Sequence, residues 1–358
     1  MAASGADGET RIEMARVLRL EPNADADFSI AALQKSIEET SERTAKLAAN
    51  AKEHGGPTEP ITIVIANRLF PQSGYDFRQD FFARLKQNYG AEPEPLDYRK
   101  DAAAATKRIN EWVTKETRDR IRDLIPQTLS PDTRLVLANA IYLKAPWASD
   151  FRESATTPEP FHIKGGAPAD VQTMRGLKYL GHVKKQGYAI VTIPYSDGEL
   201  QFIVFVPDDV RGLASIEQKL DAATLAECTK LQSVEVDLHL PKFKFEPPTV
   251  PLSGALKSLG MHSAFDIPPG SAIFSRMAAR KPKDYLAISE VFHKTFIAVD
   301  EKGTEAAAAT AVAMNATSSR ATEKPLPIEV KVDRPFLYAI QHVPSGACLF
   351  IGRVTDPR

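Results

Sequence analysis

The least ordinary stretch of this chain is VDEKGTEAAAATAVAMNATSSRATEKP at residues 299–325. Near its start lie Glu301, Gly303 and Thr304. The chemistry open to such small residues is backbone hydrogen bonding as a strand, in which successive side chains point to opposite faces. One alternate set is small and then apolar, namely Thr304, Ala306, Ala308, Thr310, Val312, Met314 and Ala316. The other set is small but carries two polar residues, namely Glu305, Ala307, Ala309, Ala311, Ala313, Asn315 and Thr317. The spacing is therefore compatible with a strand that buries one face.

Local propensity favours a different structure for the same residues. A run such as AAAATAVAM favours helix because Ala loses no side-chain entropy there. The polar run NATSSRATEK is typical of an exposed loop. No proline occurs from Val299 to Glu323 in a chain that has 26 of them, which permits a central strand. The residues alone leave two interpretations open: an Ala-rich surface helix or linker, and a segment able to become a strand.

Two phrases in this region resemble the serpins, a family of serine protease inhibitors. The downstream PIEVKVDRPFLYAIQHVPSGACLFIGRVTDP resembles the C-terminal strand pair of that family. The phrase EKGTEAAAAT resembles the hinge of the serpin reactive loop, which here comprises Glu301, Gly303, Thr304, Glu305, Ala306, Ala307, Ala308, Ala309 and Thr310. The resemblance implies a suicide substrate. A protease cleaves the exposed loop, residues 303–316 insert as a central sheet strand, and the acyl-enzyme is trapped covalently.

The resemblance also implies where the loop is cut. Counting from Glu301 as the family does, the seventeenth residue is Thr317, so the reactive bond is Thr317–Ser318. Threonine suits an elastase-like protease with a small pocket. The alternative bond is Arg320–Ala321, which suits a trypsin-like protease with an acidic pocket. The implied partner is a serine protease, elastase-like in preference to trypsin-like.

Further residues match the family at the sheet that must open. Asn139 lies in the apolar run TRLVLANAIYLKAPW and is expected to be buried, where an unpaired amide costs roughly 1–3 kcal/mol. The residues alone leave a local cap or an outward-facing side chain open. The resemblance implies a hydrogen bond between Asn139 and His293, although a lone histidine among apolar residues is usually a satisfied core residue. Lys144 and Trp147 match the corner at the top of that sheet.

Hydrophobic patterns along the chain predict an α+β protein. The patterns predict mostly β-structure from 170 to 246 and strands at 61–70, 133–147 and 284–303. They predict one or two helices at 28–53, helices at 76–90, 101–123 and 210–230, and within 250–266 a helix followed by the phrase GMHSAF. With the resemblance, they indicate a single serpin domain over 1–358. The implied fold has a large mixed sheet, two smaller sheets, about seven or eight helices and an exposed reactive loop at 301–325.

The N-terminus departs from the family pattern. The phrase GADGETRIEMARVLRL resembles the end of the second serpin helix and the third helix, which implies that the first helix, the first strand and most of the second helix are lacking. Met1 to Gly8 shows no signal-peptide pattern. The resemblance implies an extracellular protein, and a cytoplasmic one stays open. Asn315 lies in a sequon for N-glycosylation, and a glycan in the loop would hinder its cleavage and insertion. Because this obstacle vanishes in a bacterial host, the sequon favours a bacterial source.

Composition argues against several classes of function. The net charge of −1 supplies no field that would draw the chain to nucleic acid or to an anionic membrane. No apolar run approaches the ~20 residues of a membrane span. Cys228 and Cys348 lie in no C-x-x-C pair and are expected to be buried thiols.

Motifs of enzyme chemistry are absent from the sequence. It contains no G-x-S-x-G, H-E-x-x-H, G-x-x-x-x-G-K-[ST] or G-x-G-x-x-G. We therefore expect a protein that is not an enzyme and needs no metal and no cofactor, and the resemblance to serpins implies a monomeric inhibitor. The alternative is a non-inhibitory protein of the same fold that acts as a chaperone, carrier or storage protein.

Overall fold

The computed structural model describes residues 1–20, 26–54, 59–163, 165–305 and 326–358. Two compact units emerge, each built from separated segments of the chain. Residues 1–38, 63–142 and 246–296 form the first unit, and residues 39–62, 143–245 and 297–358 form the second. The expectation of a single domain stays a prediction. No helix in the described ranges is long and apolar enough to cross a membrane.

Several helix ends lie at residues with recognisable local sequence signals. Gly90 ends α4 with a left-handed φ of 60°. The Asp97 side chain caps the start of α5 by accepting from the Lys100 amide. The predicted helix at 210–230 is two short helices, because Asp221 caps a second start. The described residues contain α1 Ala2–Gly5, α2 Gly8–Val17, α3 Ala26–His54, α4 Gln79–Tyr89, α5 Tyr98–Glu116, α6 Leu213–Lys219, α7 Ala222–Cys228 and α8 Ser253–Ser258.

Strands dominate the second unit and also occur in the first. Their bounds are β1 Thr62–Pro71, β2 Glu92–Pro93, β3 Leu135–Pro146, β4 Thr157–Phe161, β5 Ala169–Lys185, β6 Tyr188–Pro194, β7 Leu200–Pro207, β8 Ser233–Pro241, β9 Phe243–Phe245, β10 Val250–Pro251, β11 Phe292–His293, β12 Ile297–Asp300, β13 Gly303–Thr304, β14 Ile328–Lys331, β15 Phe336–His342 and β16 Ala347–Val354.

An eight-stranded mixed sheet lies within the second unit. Its order is β14-β8-β5-β6-β7-β15-β16, with β4 paired to β5, and the β14–β8 pair is parallel. Every residue of β7 and β15 is buried, as the continuous apolar runs of central strands predict. The same unit holds the end of β3, from Leu143, in the row β3-β13-β12-β9, in which each neighbouring pair is antiparallel; the earlier residues of β3 belong to the first unit. The α+β class with a large mixed sheet and further sheets is thus confirmed.

The first unit places β1 between β2 and β3 and packs helices against apolar clusters. One cluster joins α2 and α4 through Met14, Phe81 and Leu85. A second cluster joins α5 to β3 through Trp112 and Ala138. The predictions of helices at 76–90 and 101–123 therefore agree with the structure in type, but the bounds differ.

Two predictions were wrong in detail. The long strand at 284–303 forms only as β11 and β12, and residues 285–291 and 294–296 are not in a strand. Glu290, before β11, instead accepts hydrogen bonds from Ser253 at the start of α8 at 3.0 Å and 2.7 Å. The predicted helix within 250–266 is α8, which ends at Ser258, before the phrase GMHSAF. Cys348, in the edge strand β16, is exposed, whereas Cys228 is buried as expected.

Candidate functional site: the hinge strand

The hinge begins as a short strand of its own in the second unit. β13, Gly303–Thr304, lies between β3 and β12 and pairs with both. Thr304 is opposite Ala145 on one side and Val299 on the other. The next amide, of Glu305, donates to the carbonyl of Ala298 at 2.9 Å. The backbone therefore already forms the first pairs of an added strand.

Gly303 fits this position because it has no Cβ. Its φ is +152°, a conformation that residues with side chains rarely adopt. A Cβ added there would lie 2.1 Å from the carbonyl oxygen of Ala145 and 2.8 Å from the Cα of Pro146. Both obstacles are backbone atoms of β3, so a rotamer change cannot relieve the clash. The glycine lets β13 approach β3.

Thr304 is buried and is held by a tyrosine. Only 3% of Thr304 is exposed, and its Oγ1 lies 2.5 Å from the hydroxyl oxygen of Tyr195. Burial raises the pKa of Tyr195, so the phenol stays protonated and neutral. The small, neutral threonine side chain suits this enclosed place, whereas a charge there would be costly.

Glu301 anchors the start of the hinge. Its carboxylate accepts from Lys242 Nζ at 2.8 Å and 3.0 Å and from Thr156 Oγ1 at 2.8 Å. Burial alone would raise the pKa of Glu301, but these hydrogen bonds outweigh it and hold the pKa below its ordinary value. Glu301 is therefore an ionised and nearly buried anchor.

Trp147 braces the turn between β12 and β13. Its indole Nε1 donates to the carbonyl of Asp300 at 2.9 Å, and its amide donates to that of Lys302 at 2.8 Å. The ring stacks on Tyr195 with centroids 4.8 Å apart. The other residue predicted for this corner, Lys144, pairs with Glu59 at 2.9 Å.

The predicted hydrogen bond between Asn139 and His293 is not present. Asn139 is exposed, and its amide donates to Asn67 Oδ1 at 2.8 Å. Ala138 and Ala140 are buried on the opposite face of β3. His293 lies in β11, where its backbone pairs with Val250. The expectation of a buried Asn139 is thus corrected, because this part of β3 alternates between faces.

Several predicted site residues lie outside the described residues. Both candidate bonds, Thr317–Ser318 and Arg320–Ala321, are among them, as are the hinge residues Ala306, Ala307, Ala308, Ala309 and Thr310. The described hinge residues, Glu301 to Glu305, come together with residues that sequence reasoning missed, namely Thr156, Tyr195 and Lys242. These three residues are far from the hinge in the sequence, so no motif or residue spacing could have predicted their contact with it.

Comparison with known proteins identifies the family. The model described as serpin (serine protease inhibitor) matches residues 1–357. An uncharacterised serpin-like protein of Thermococcus kodakarensis is 34% identical, over 100% of this chain and 78% of that protein. The leukocyte elastase inhibitor of Equus caballus is 33% identical, over 94% of this chain and 87% of that protein. A solved structure of cleaved Serpin 42Da has a TM-score of 0.79 and 27% identity, covering 100% of this chain and 88% of that chain. The chain belongs to the serpin family.

Proposed function

We propose that this serpin is an inhibitor of serine proteases that acts as a suicide substrate. The observation that carries the proposal is the pairing of Gly303 and Thr304 between β3 and β12. The residues that follow in the sequence are small at alternate positions, Ala306 and Ala308. A strand that continued from Thr304 would therefore bring no bulky or charged side chain to the face that Thr304 buries.

The proposed reaction starts at Thr317–Ser318. The catalytic serine oxygen of the protease attacks the carbonyl carbon of Thr317. The bond to the Ser318 nitrogen breaks, and that nitrogen leaves as an amine after taking a proton from the histidine of the protease. The new ester links the protease to residue 317. Residues 303–316 then insert beside β3 and β12 and carry the protease with them before water hydrolyses the ester.

Strand insertion supplies the driving force. A newly paired strand gains on the order of ten ladder hydrogen bonds, each worth ~0.5–1.5 kcal/mol net. It also buries Val312 and Met314 if the spacing from Thr304 is kept. Together these gains make insertion effectively one-way.

The proposed target is an elastase-like protease. Threonine is the residue on the acyl side of the proposed bond, and a small side chain suits a small specificity pocket. The similarity to a protein named leukocyte elastase inhibitor supports the same class. A trypsin-like enzyme cutting at Arg320–Ala321 is the alternative. An extracellular location, where such proteases act, is part of the proposal.

Substitution at Thr304 tests the proposal. Thr304→Arg puts a charge where 3% of the residue is exposed, so insertion should stall and the chain should be cleaved as a substrate. The matched control, Thr304→Ser, keeps a small hydroxyl side chain and should still trap. The measurement is the fraction of chain that forms a protease complex stable on a denaturing gel. Equal complex formation by both variants would contradict the insertion mechanism. Wild-type cleavage without any complex would favour the non-inhibitory alternative.

A further inference from the structure

A cluster of potential metal ligands lies on the eight-stranded sheet, apart from the hinge residues. Asp237 and His239 are two residues apart on β8, so their side chains share a face. Glu329 on the parallel neighbour β14 is directly opposite Asp237. One ligand atom from each of these three residues lies within 4.8 Å of the other two.

His239 presents an unpartnered nitrogen to this cluster. The residue is 5% exposed, and its Nε2 is buried without a hydrogen-bond partner among the described residues. That nitrogen lies 3.9 Å from Asp237 Oδ1. Buried polar atoms are nearly always paired, and each exception calls for an explanation, such as an ion.

A carboxylate beside the other ring nitrogen of His239 fixes the orientation of the ring. Nδ1 lies 2.9 Å from both carboxylate oxygens of Glu159. An ionised carboxylate only accepts hydrogen bonds, so Nδ1 carries the proton, and in the neutral form of the ring the lone pair is on Nε2. A histidine held by a carboxylate in this way is the usual arrangement of a metal-ligating histidine.

We propose that Asp237, His239 and Glu329 bind a zinc ion. One imidazole and two carboxylates are ligands that Zn²⁺ accepts, at about 2.0–2.2 Å each. Two such donors around a tetrahedral ion lie roughly 3.3 Å apart. The gap of 3.9 Å between His239 and Asp237 therefore needs only a small closure. Water would complete the coordination. Mg²⁺ and Ca²⁺ fit less well, because they prefer oxygen ligands.

The charges around the cluster allow a cation to enter. Arg175 donates to Asp237 at 2.6 Å and 3.1 Å, and Lys331 pairs with Glu329 at 3.0 Å. An ionised carboxylate has about four lone-pair sites, so each keeps room for a metal. The three carboxylates, including Glu159, exceed the two cations by one negative charge, taking His239 as neutral. Glu159 would not bind the ion itself but would hold the imidazole ring of His239 in position.

Zinc at this place would join two strands of the sheet. β14 is an edge strand whose neighbour is β8, and it follows residues 306–325 in the sequence. The ion would therefore fasten the segment on the C-terminal side of the proposed reactive loop. This inference stands without the proposed inhibitory function, because it rests on residues that the hinge does not use.

Direct metal titration tests the site. The full chain is stripped with a chelator and titrated with ZnCl2 by calorimetry, and we expect one saturable equivalent. Glu159→Gln should weaken binding about 10–100-fold, and His239→Gln should weaken it more. The control is His182→Gln, which alters a histidine on β5 outside the cluster and should leave the affinity unchanged. Co²⁺ in place of Zn²⁺ should give a visible absorption that His239→Gln abolishes.

Two outcomes would overturn the site. One is the absence of saturable Zn²⁺ binding by the wild-type chain. The other is equal affinity in the wild type and in a folded His239→Gln variant, which would mean adventitious binding elsewhere. If His239→Gln fails to fold by circular dichroism, Glu329→Gln on the edge strand replaces it and must lower the affinity at least about tenfold.

Discussion

At the residue scale, Gly303 makes the most specific demand on side-chain size. Gly303→Ala would drive a Cβ into the backbone of β3 at 2.1 Å. We expect it to displace β13, to lower the unfolding free energy by about 1–3 kcal/mol and to reduce trapping of protease. Denaturant unfolding and the gel assay measure the two effects.

Gly346 supplies the matched control for that substitution. It also has a positive φ, +70°, but a Cβ there would meet nothing within 4 Å. Gly346→Ala therefore tests the backbone conformation without the clash. If Gly303→Ala lowered stability and trapping no more than Gly346→Ala does, the close approach of β13 to β3 would be refuted.

The ionised state of Glu301 predicts a dependence on pH. The pKa of this carboxyl is lower in the folded chain than its ordinary value of 4.5, so the unfolded chain binds the proton more readily. The stabilisation is therefore present above about pH 4.5 and is lost as the pH falls through the folded-state pKa. Relative to Glu301→Gln, the wild type should be more stable by ~1–3 kcal/mol near pH 7.

Unfolding of both chains at several pH values measures that difference. It should shrink as the pH falls below 4.5 and through the folded-state pKa, because the wild-type carboxyl then becomes neutral like the amide. Glu153→Gln is the control, since Glu153 is largely exposed and its only described ion pair is at 3.9 Å. A difference between wild type and Glu301→Gln that did not vary with pH would show that Glu301 acts through its shape and not through its charge.

At the scale of elements, the paired β13 predicts that cleavage stabilises the molecule. A strand that extends from Thr304 between β3 and β12 adds ladder hydrogen bonds, so the melting temperature should rise by at least about 10 °C after the loop is cut. Calorimetry of intact and cleaved chain measures the rise. Cleaved Thr304→Arg is the control and should show little gain. An unchanged melting temperature in cleaved wild type would argue against insertion.

The elements that could be predicted are those with strong local signals. Helix α4 was predicted together with its stop at Gly90, because a left-handed glycine ends helices by itself. The strand β7 lies in the region predicted to be mostly β-structure, 170–246, because a central strand is apolar on both faces. These features depend on residues that are neighbours in the sequence, so a local sequence pattern is enough to predict them.

The features that could not be predicted depend on distant partners. In the segment predicted as a strand at 284–303, Glu290 is not in a strand and accepts from Ser253 of α8, more than thirty residues earlier in the chain. Apolar neighbours favour a core position for Asn139, yet it adopts the outward-facing alternative and pairs with Asn67. Tyr195 and Lys242 contact the hinge only through the folding of the second unit, because they lie far from it in the sequence. Local pattern carries no signal for such contacts.

At the scale of the whole molecule, the chain has the fold of its family and a net charge close to zero. The serpin family is established by a match over residues 1–357, while inhibition is proposed from the hinge. The net charge of −1 suggests no broad electrostatic attraction to a protease. Recognition should therefore depend on the loop residues, and exchange of Thr317 for Arg should shift the preferred target from an elastase-like to a trypsin-like enzyme.

The most direct test is to incubate the full chain with an elastase-like serine protease. The reaction is run on a denaturing gel, and the released C-terminal peptide is sequenced. The account predicts a stable band at the sum of the two masses and a peptide that begins at Ser318. Complete cleavage at that bond with no covalent band would contradict the central claim, because the loop would then be a substrate and its insertion would trap nothing.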